Sequence, residues 1–211
     1  MHTERVLVAI GGNSLQDSSA KGPAGPDQEL SAVRATAESL AEVVAAGYGL
    51  VLTHGNGPQV GFGLHMAELA AEVAPVRTLD AIDADTQGSL GYLIQQALGN
   101  ALRARGLDDR VASVVTQVLV DADDPAFQWP QKPVGRAYTE QEARQKISEL
   151  GWNMVREKKR GWRRVVPSPK PRRIVEAWAI ASLVAAGAVV VGCGGGGIPV
   201  VPSPTGLRGV P

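Results

Sequence analysis

Val6-Leu7-Val8-Ala9-Ile10, followed at once by Gly11-Gly12-Asn13-Ser14, is the stretch that decides the fold. The β-branched run reads as a buried strand. The glycines after it let the backbone turn sharply, so that N–H groups can face a single bound group. The pattern recurs twice: Leu50-Val51-Leu52-Thr53 runs into His54-Gly55-Asn56-Gly57-Pro58, and Ala188-Val189-Val190-Val191 runs into Gly192-Cys193-Gly194-Gly195-Gly196-Gly197. In a parallel sheet these three loops fall along one edge, where open α/β folds bind ligands. The consecutive glycines Gly194 to Gly197 carry a large entropic cost on folding unless close backbone approach requires them, which points to an anion site rather than a plain turn.

Working outward, Leu15 to Pro26 reads as a loop, and Asp27 to Ala46 carries Leu30, Val33, Ala37, Leu40, Val43 and Val44 at helical spacing before Gly47 and Gly49. With the strand at Leu50 this makes a βαβ unit with a right-handed crossover and parallel strands. Pro58 suits a helix start, so Val60 to Val73 and Asp80 to Arg105 are expected as helices and Val111 to Val120 as a third interior strand. The texture changes at Asp121. From there to Arg173 the chain is richer in prolines and aromatics, with a capping-box signature at Thr139 and Glu142. A helix over Glu140 to Leu150 and a hairpin over Asn153 to Val166 are expected, forming a small subdomain (121–173) inserted into a core made of 1–120 and 174–211. The core pattern resumes with a helix from Ile174 to Ala186, the strand at Ala188 and a short strand from Ile198 to Val201. The last ten residues read as a turn leading onward.

Lys plus Arg balance Asp plus Glu at 21 each, so no global field exists to hold nucleic acid or an anionic membrane surface, and small-molecule chemistry is favoured. Cys193 is the only cysteine and cannot form an internal disulfide, and the N-terminus enters a strand without a basic-then-apolar leader. A reduced, cytoplasmic protein is the expectation. The most apolar region, Val184 to Val201, is broken by glycines and does not read as a membrane span.

Gly192, Gly194 and Gly197 fit G-x-G-x-x-G by coincidence, because Ile198-Pro199-Val200-Val201-Pro202 cannot open the helix that a dinucleotide fingerprint needs. No P-loop, nucleophile elbow or zinc-ligand spacing occurs. His54 reads either as a group that polarises a substrate or as a structural imidazole. Lys132 and Lys170 are each held by neighbouring prolines, which suits a point charge for phosphate as well as an ordinary surface lysine.

Val8-Ala9-Ile10-Gly11-Gly12-Asn13, Thr53-His54-Gly55-Asn56-Gly57-Pro58-Gln59-Val60-Gly61, Thr86-Gln87-Gly88, the run from Gly161 to Pro171 and Cys193-Gly194-Gly195-Gly196-Gly197-Ile198-Pro199-Val200-Val201 together resemble the bacterial carbamate kinases of the amino-acid kinase superfamily. The resemblance runs in order from Val6 to Val210, with Ser14 standing where alanine is usual. It implies a three-layer αβα sandwich with a mainly parallel central sheet and an inserted lid subdomain. It also implies a homodimer and reversible phosphoryl transfer between ATP and carbamate, giving ADP and carbamoyl phosphate with Mg²⁺. Carbamate is already an anion, so such a protein supplies alignment and charge neutralisation rather than a general base. By matching motifs, Gly11, Gly12, Asn13, Gly55, Asn56 and Gly57, with His54 beside them, would hold the transferred phosphoryl group. Gly194, Gly195, Gly196 and Gly197 would line the carbamate end, and Lys132 in the lid would neutralise charge.

In the family, the segment after Leu207-Arg208-Gly209-Val210 leads into an Ile-Asp-Lys-Asp motif and a second lobe with the nucleotide site, which these residues do not include. The resemblance therefore implies that the chain by itself lacks substantial kinase activity. Two other readings stay open: a non-catalytic module that binds carbamoyl phosphate, and another amino-acid kinase acting on a carboxylate such as glutamate or aspartate.

Overall fold

A computed structural model describes residues 4–15, 26–75 and 77–210. Its elements begin with β1 (Arg5–Ile10), α1 (Pro26–Ala45), β2 (Gly49–His54), α2 (Gly57–Leu69), α3 (Leu79–Ala104), β3 (Val111–Ser113) and β4 (Gln117–Val120). They continue with β5 (Lys132–Tyr138), α4 (Glu140–Leu150), β6 (Met154–Glu157), β7 (Gly161–Val166), β8 (Pro171–Ile174), α5 (Ala177–Ala185), β9 (Val189–Val191), β10 (Ile198–Ser203) and β11 (Gly206–Gly209). The mixed α/β architecture with a parallel sheet is the one the valine-rich runs imply. The loop expected over Leu15 to Pro26 falls mostly outside the described residues.

Two compact units are present. The first lies within Met1–Asn56, Asp83–Gln117 and Ile174–Ile198. Its sheet has the order β1-β2-β9-β3, and all of its pairings are parallel, with Val8 opposite Leu52, Leu52 opposite Val191 and Ala112 opposite Val190. On one face Ile10, Leu50, Leu52, Val189 and Val191 pack against Val33, Ala37, Leu40 and Ala41 of α1 and against Leu90, Ile94, Leu98 and Leu102 of α3. Alternation along each strand puts Leu7, Val51 and Val190 on the other face. Leu7 is 70 % exposed there, and none of the residues of α5 is buried.

The second unit lies within Gly57–Ile82, Val118–Arg173 and Pro199–Pro211. An antiparallel sheet of order β5-β7-β6 carries Val134 and Val166, which pack with Val60 and Leu64 of α2 and with Ile82. Here α4 and the hairpin stand where the turn chemistry places them. Thr139 Oγ1 accepts from the Glu142 N–H while Glu142 returns a bond to the Thr139 N–H, and Gly151 closes the helix in the left-handed conformation. A second small cluster joins Val118, Val120 and Val201. Among the described residues no helix is long and apolar enough to cross a membrane.

Three expectations need correction. The single strand read over Val111 to Val120 is two strands in different sheets, because Thr116 directs its hydrogen bonds to side chains and to its own neighbourhood. Its N–H bonds Gln87 Oε1 at 2.7 Å and its hydroxyl donates to the Val114 carbonyl at 2.7 Å, so the ladder stops. The helix read from Ile174 starts at Ala177, since Pro171–Ile174 is strand β8 and Glu176 uses its carboxylate on the Gln117 N–H and side-chain amide. Helix α2 stops at Leu69 rather than Val73, and the chain goes on through a turn in which the Val73 N–H bonds the Ala70 carbonyl.

Candidate functional site

The parallel strands β1, β2 and β9 lie side by side, so the loops leaving their C-terminal ends meet. The contact is close enough to leave no room for side chains. A β-carbon added to Gly55 would stand 3.0 Å from the Gly12 nitrogen, and the Gly55 N–H bonds the Ile10 carbonyl at 2.9 Å. A β-carbon on Gly194 would stand 2.5 Å from His54 Nε2, and one on Gly195 would stand 2.6 Å from Asn56 Oδ1. The structure thus brings Gly11, Gly12, His54, Gly55, Asn56, Gly194 and Gly195 together within one unit.

The third loop is a run of mostly left-handed backbone. Cys193 has φ 53°, the only positive φ at a non-glycine among the described residues, and Gly195, Gly196 and Gly197 have φ 66°, 97° and 88°. Only glycine adopts such a run without strain. The Gly196 and Gly197 N–H groups bond back to the Cys193 and Gly194 carbonyls at 3.0 Å.

His54 is 4 % exposed, its Nδ1 donates to the Gly55 carbonyl at 3.1 Å, and its Nε2 lies against Gly194; a neutral ring here carries its proton on Nδ1. Burial pushes its pKa below the ordinary imidazole value, with the Gly55 bond opposing the shift. Burial thus favours the neutral ring over the charged one. Asn56 is buried and held by α3: its side-chain nitrogen donates to Asp83 Oδ1 and to Thr86 Oγ1, the second at 2.7 Å. Burial, helped by Glu176, raises the pKa of the Cys193 thiol, which keeps it protonated.

The remaining expected residues are described within their own units. Gly57 opens α2 with nothing within 4 Å of an added β-carbon, as is also true of Gly196. Asn13 lies in the 3-10 turn Gly12–Leu15, and its side chain is not among those described. Lys132 opens β5 in the second unit as an exposed residue paired with Val166. Lys170 is exposed, and its N–H bonds Asp124 Oδ2 at 3.0 Å.

Sequence reasoning assigned no role to Gln87, Thr116 or Thr86, although all three are buried around the loops. Their only signal was the short run Thr86-Gln87-Gly88, which stands out as a motif and not as chemistry. Among the described residues no group of three or more His, Cys, Asp or Glu side chains could hold a metal ion.

A family model described as "Amino acid kinase family" matches residues 4–206. The chain is 48 % identical over 209 residues to the carbamate kinase of Pyrococcus horikoshii, covering 98 % of this chain and 66 % of that protein. It is 48 % identical over 202 residues to the carbamate kinase-like protein YahI of Escherichia coli, covering 94 % of this chain and 63 % of that one. The structure superposes on the carbamate kinase from Giardia lamblia bound to AMP-PNP with a TM-score of 0.89 at 39 % identity, covering 100 % of this chain and 66 % of that chain. The same enzyme bound to citric acid gives 0.88, covering 100 % and 68 %. The chain therefore spans about two thirds of the length of the relatives it matches.

Proposed function

The chain belongs to the amino acid kinase family, and on that premise we propose that its three-loop edge is the acceptor and phosphoryl site of a carbamate kinase. The observation that carries the reading is the close approach of Gly55 to the Gly12 backbone, and of Gly194 and Gly195 to His54 and Asn56, at the ends of adjacent parallel strands. Such an edge offers backbone N–H groups to a small anion and excludes anything bulky.

In this reading Gly11, Gly12, Asn13, Gly55, Asn56 and Gly57 hold the phosphoryl group in transfer, with His54 shaping the floor. Gly194 to Gly197 receive carbamate, and Lys132 neutralises the charge on the transferring group. A carbamate oxygen forms the new bond to phosphorus while the bond to the ADP oxygen breaks; the nucleophile is already ionised, so no proton has to be removed. Catalysis then rests on alignment and on donors fixed in advance. ATP or ADP enters as substrate with Mg²⁺ on its phosphates, and its site belongs to the part of the relatives that these residues do not span. A cytoplasmic homodimer completes the proposal.

The test is calorimetric titration of the chain with carbamoyl phosphate, glutamate and aspartate, alongside an assay of ATP formation from ADP and carbamoyl phosphate. The proposal expects carbamoyl phosphate to bind and the amino acids not to bind. Binding of glutamate or aspartate in preference would replace carbamate with a carboxylate substrate. ATP formation at rates typical of kinases, on the order of 1–100 s⁻¹, would contradict the assignment of the nucleotide site.

A further inference from the structure

We propose that Gln87 and Thr116 are positioning residues that form a clasp holding the Cys193–Gly197 loop in its anion-receiving shape. The inference rests on the reading of that loop as the carbamate end of the site.

Gln87 sits on α3 with 2 % exposure, and every polar group of its side chain is engaged. Oε1 accepts the Thr116 N–H at 2.7 Å, and Nε2 donates to the Thr116 carbonyl at 3.2 Å and to the Gly194 carbonyl at 2.8 Å. Thr116, with no exposed surface, carries the hold onward. Its Oγ1 accepts the Cys193 N–H at 3.0 Å while donating to the Val114 carbonyl at 2.7 Å, and its own carbonyl accepts the Ile198 N–H at 2.9 Å. The loop is thus fastened at Cys193 where it begins, at Gly194 within it, and at Ile198 just past its end. Thr53 Oγ1 adds a bond to the Cys193 carbonyl at 2.9 Å from the neighbouring strand.

The loop needs such a hold. Cys193 has a left-handed backbone that disfavours any side chain, and the glycines after it have no side chains with which to fix a shape. A free glycine loop would have to be ordered by its ligand, which weakens binding, whereas a loop ordered beforehand by buried amide and hydroxyl bonds does not impose that cost. A side chain that merely filled space between α3 and the sheet would not need an amide with all three of its hydrogen bonds aimed at the two backbone segments around the loop.

The native chain contains its own reporter, because Cys193 lies in the loop and is the sole cysteine. The experiment compares Thr116→Val, Thr116→Ser and Gln87→Met for carbamoyl phosphate affinity by calorimetry and for the rate of Cys193 alkylation by iodoacetamide in the ligand-free chain. Thr116→Val keeps the volume and removes both hydroxyl bonds, and Thr116→Ser keeps the hydroxyl. The expected result is binding weakened about tenfold or more and alkylation accelerated in Thr116→Val and Gln87→Met, with Thr116→Ser close to the parent. Parent-like affinity and alkylation in both disruptive variants would overturn the clasp, as would a Thr116→Ser that behaves like Thr116→Val. Should the parent not bind carbamoyl phosphate, the functional reading fails while the alkylation rates still decide the clasp. If the variants do not fold, hydrogen exchange of the unaltered chain decides. The Gly196 and Gly197 amides must exchange as slowly as those of β9, and rapid exchange there would overturn the proposal.

Discussion

His54 and Gly194 meet so closely that a single methyl group on Gly194 would overlap the imidazole, standing 2.5 Å from Nε2 and 2.6 Å from Cε1. Both residues come from strand ends that the parallel sheet sets side by side, so the overlap cannot be relieved by moving a solvent-facing side chain. Gly194→Ala should therefore displace the loop or the ring and weaken carbamoyl phosphate binding by about tenfold or more, while the core of α1, α3 and the sheet stays folded. Calorimetry combined with circular dichroism checks this, and a folded Gly194→Ala chain with parent affinity would refute it.

Gly55 makes the corresponding contact on the other side of the site, with the Gly12 nitrogen 3.0 Å from the place of a β-carbon. A valine side chain there presses against the Gly12 backbone. The outcome expected of Gly55→Val is the loss of phosphate and carbamoyl phosphate binding in a chain whose far-ultraviolet spectrum is unchanged.

Legibility in the sequence followed the range of the forces involved. Strands β1, β2 and β9 were readable from their valine-rich runs, and the meeting of their loops followed from parallel order alone. Helix α4 was readable to the residue, since the capping box at Thr139 and Glu142 is a local signal. The break between β3 and β4 was not readable, because it is imposed by Gln87, 29 residues from Thr116. A glutamine inside a helix contributes nothing to hydrophobic periodicity, so neither its burial nor its three bonds to the loop region left a trace in the pattern. The start of α5 was hidden similarly by the bond between Glu176 and Gln117.

Acidification gives a third prediction. The folded chain depresses the pKa of His54 through burial, so folding favours the neutral ring over the protonated one. The unfolded chain then binds the proton more readily as the pH falls below 6.5, the ordinary value. This contribution to stability is complete above that pH, declines below it, and levels off once the folded-state value is passed. Denaturant unfolding at about pH 7.5 and about pH 5.5 should show a smaller loss of stability on acidification in His54→Gln than in the parent. An identical loss in both chains would contradict the assignment.

Helix α4 offers a control within the second unit. Removing the Thr139 hydroxyl deletes the bond from the Glu142 N–H and the reciprocal geometry of the box. Thr139→Ala should cost about 1 kcal/mol, read as faster hydrogen exchange along α4, with carbamoyl phosphate affinity unaltered.

Lys132 is exposed at the start of β5, where substitution by alanine should leave thermal unfolding nearly unchanged. If it supplies charge to the transferring group, Lys132→Ala lowers carbamoyl phosphate affinity by about tenfold, the scale of one preorganised charge. A silent variant would make it an ordinary surface lysine.

In the proposed reading the glycine loops of three adjacent parallel strands form one anion site. Amide chemical-shift mapping of the isotope-labelled chain titrated with carbamoyl phosphate tests it most directly. The account predicts saturable shifts concentrated on Gly11, Gly12, Gly55, Asn56, Gly194 and Gly195. Saturable shifts confined to other parts of the chain, or none on these six amides at millimolar ligand, would contradict it.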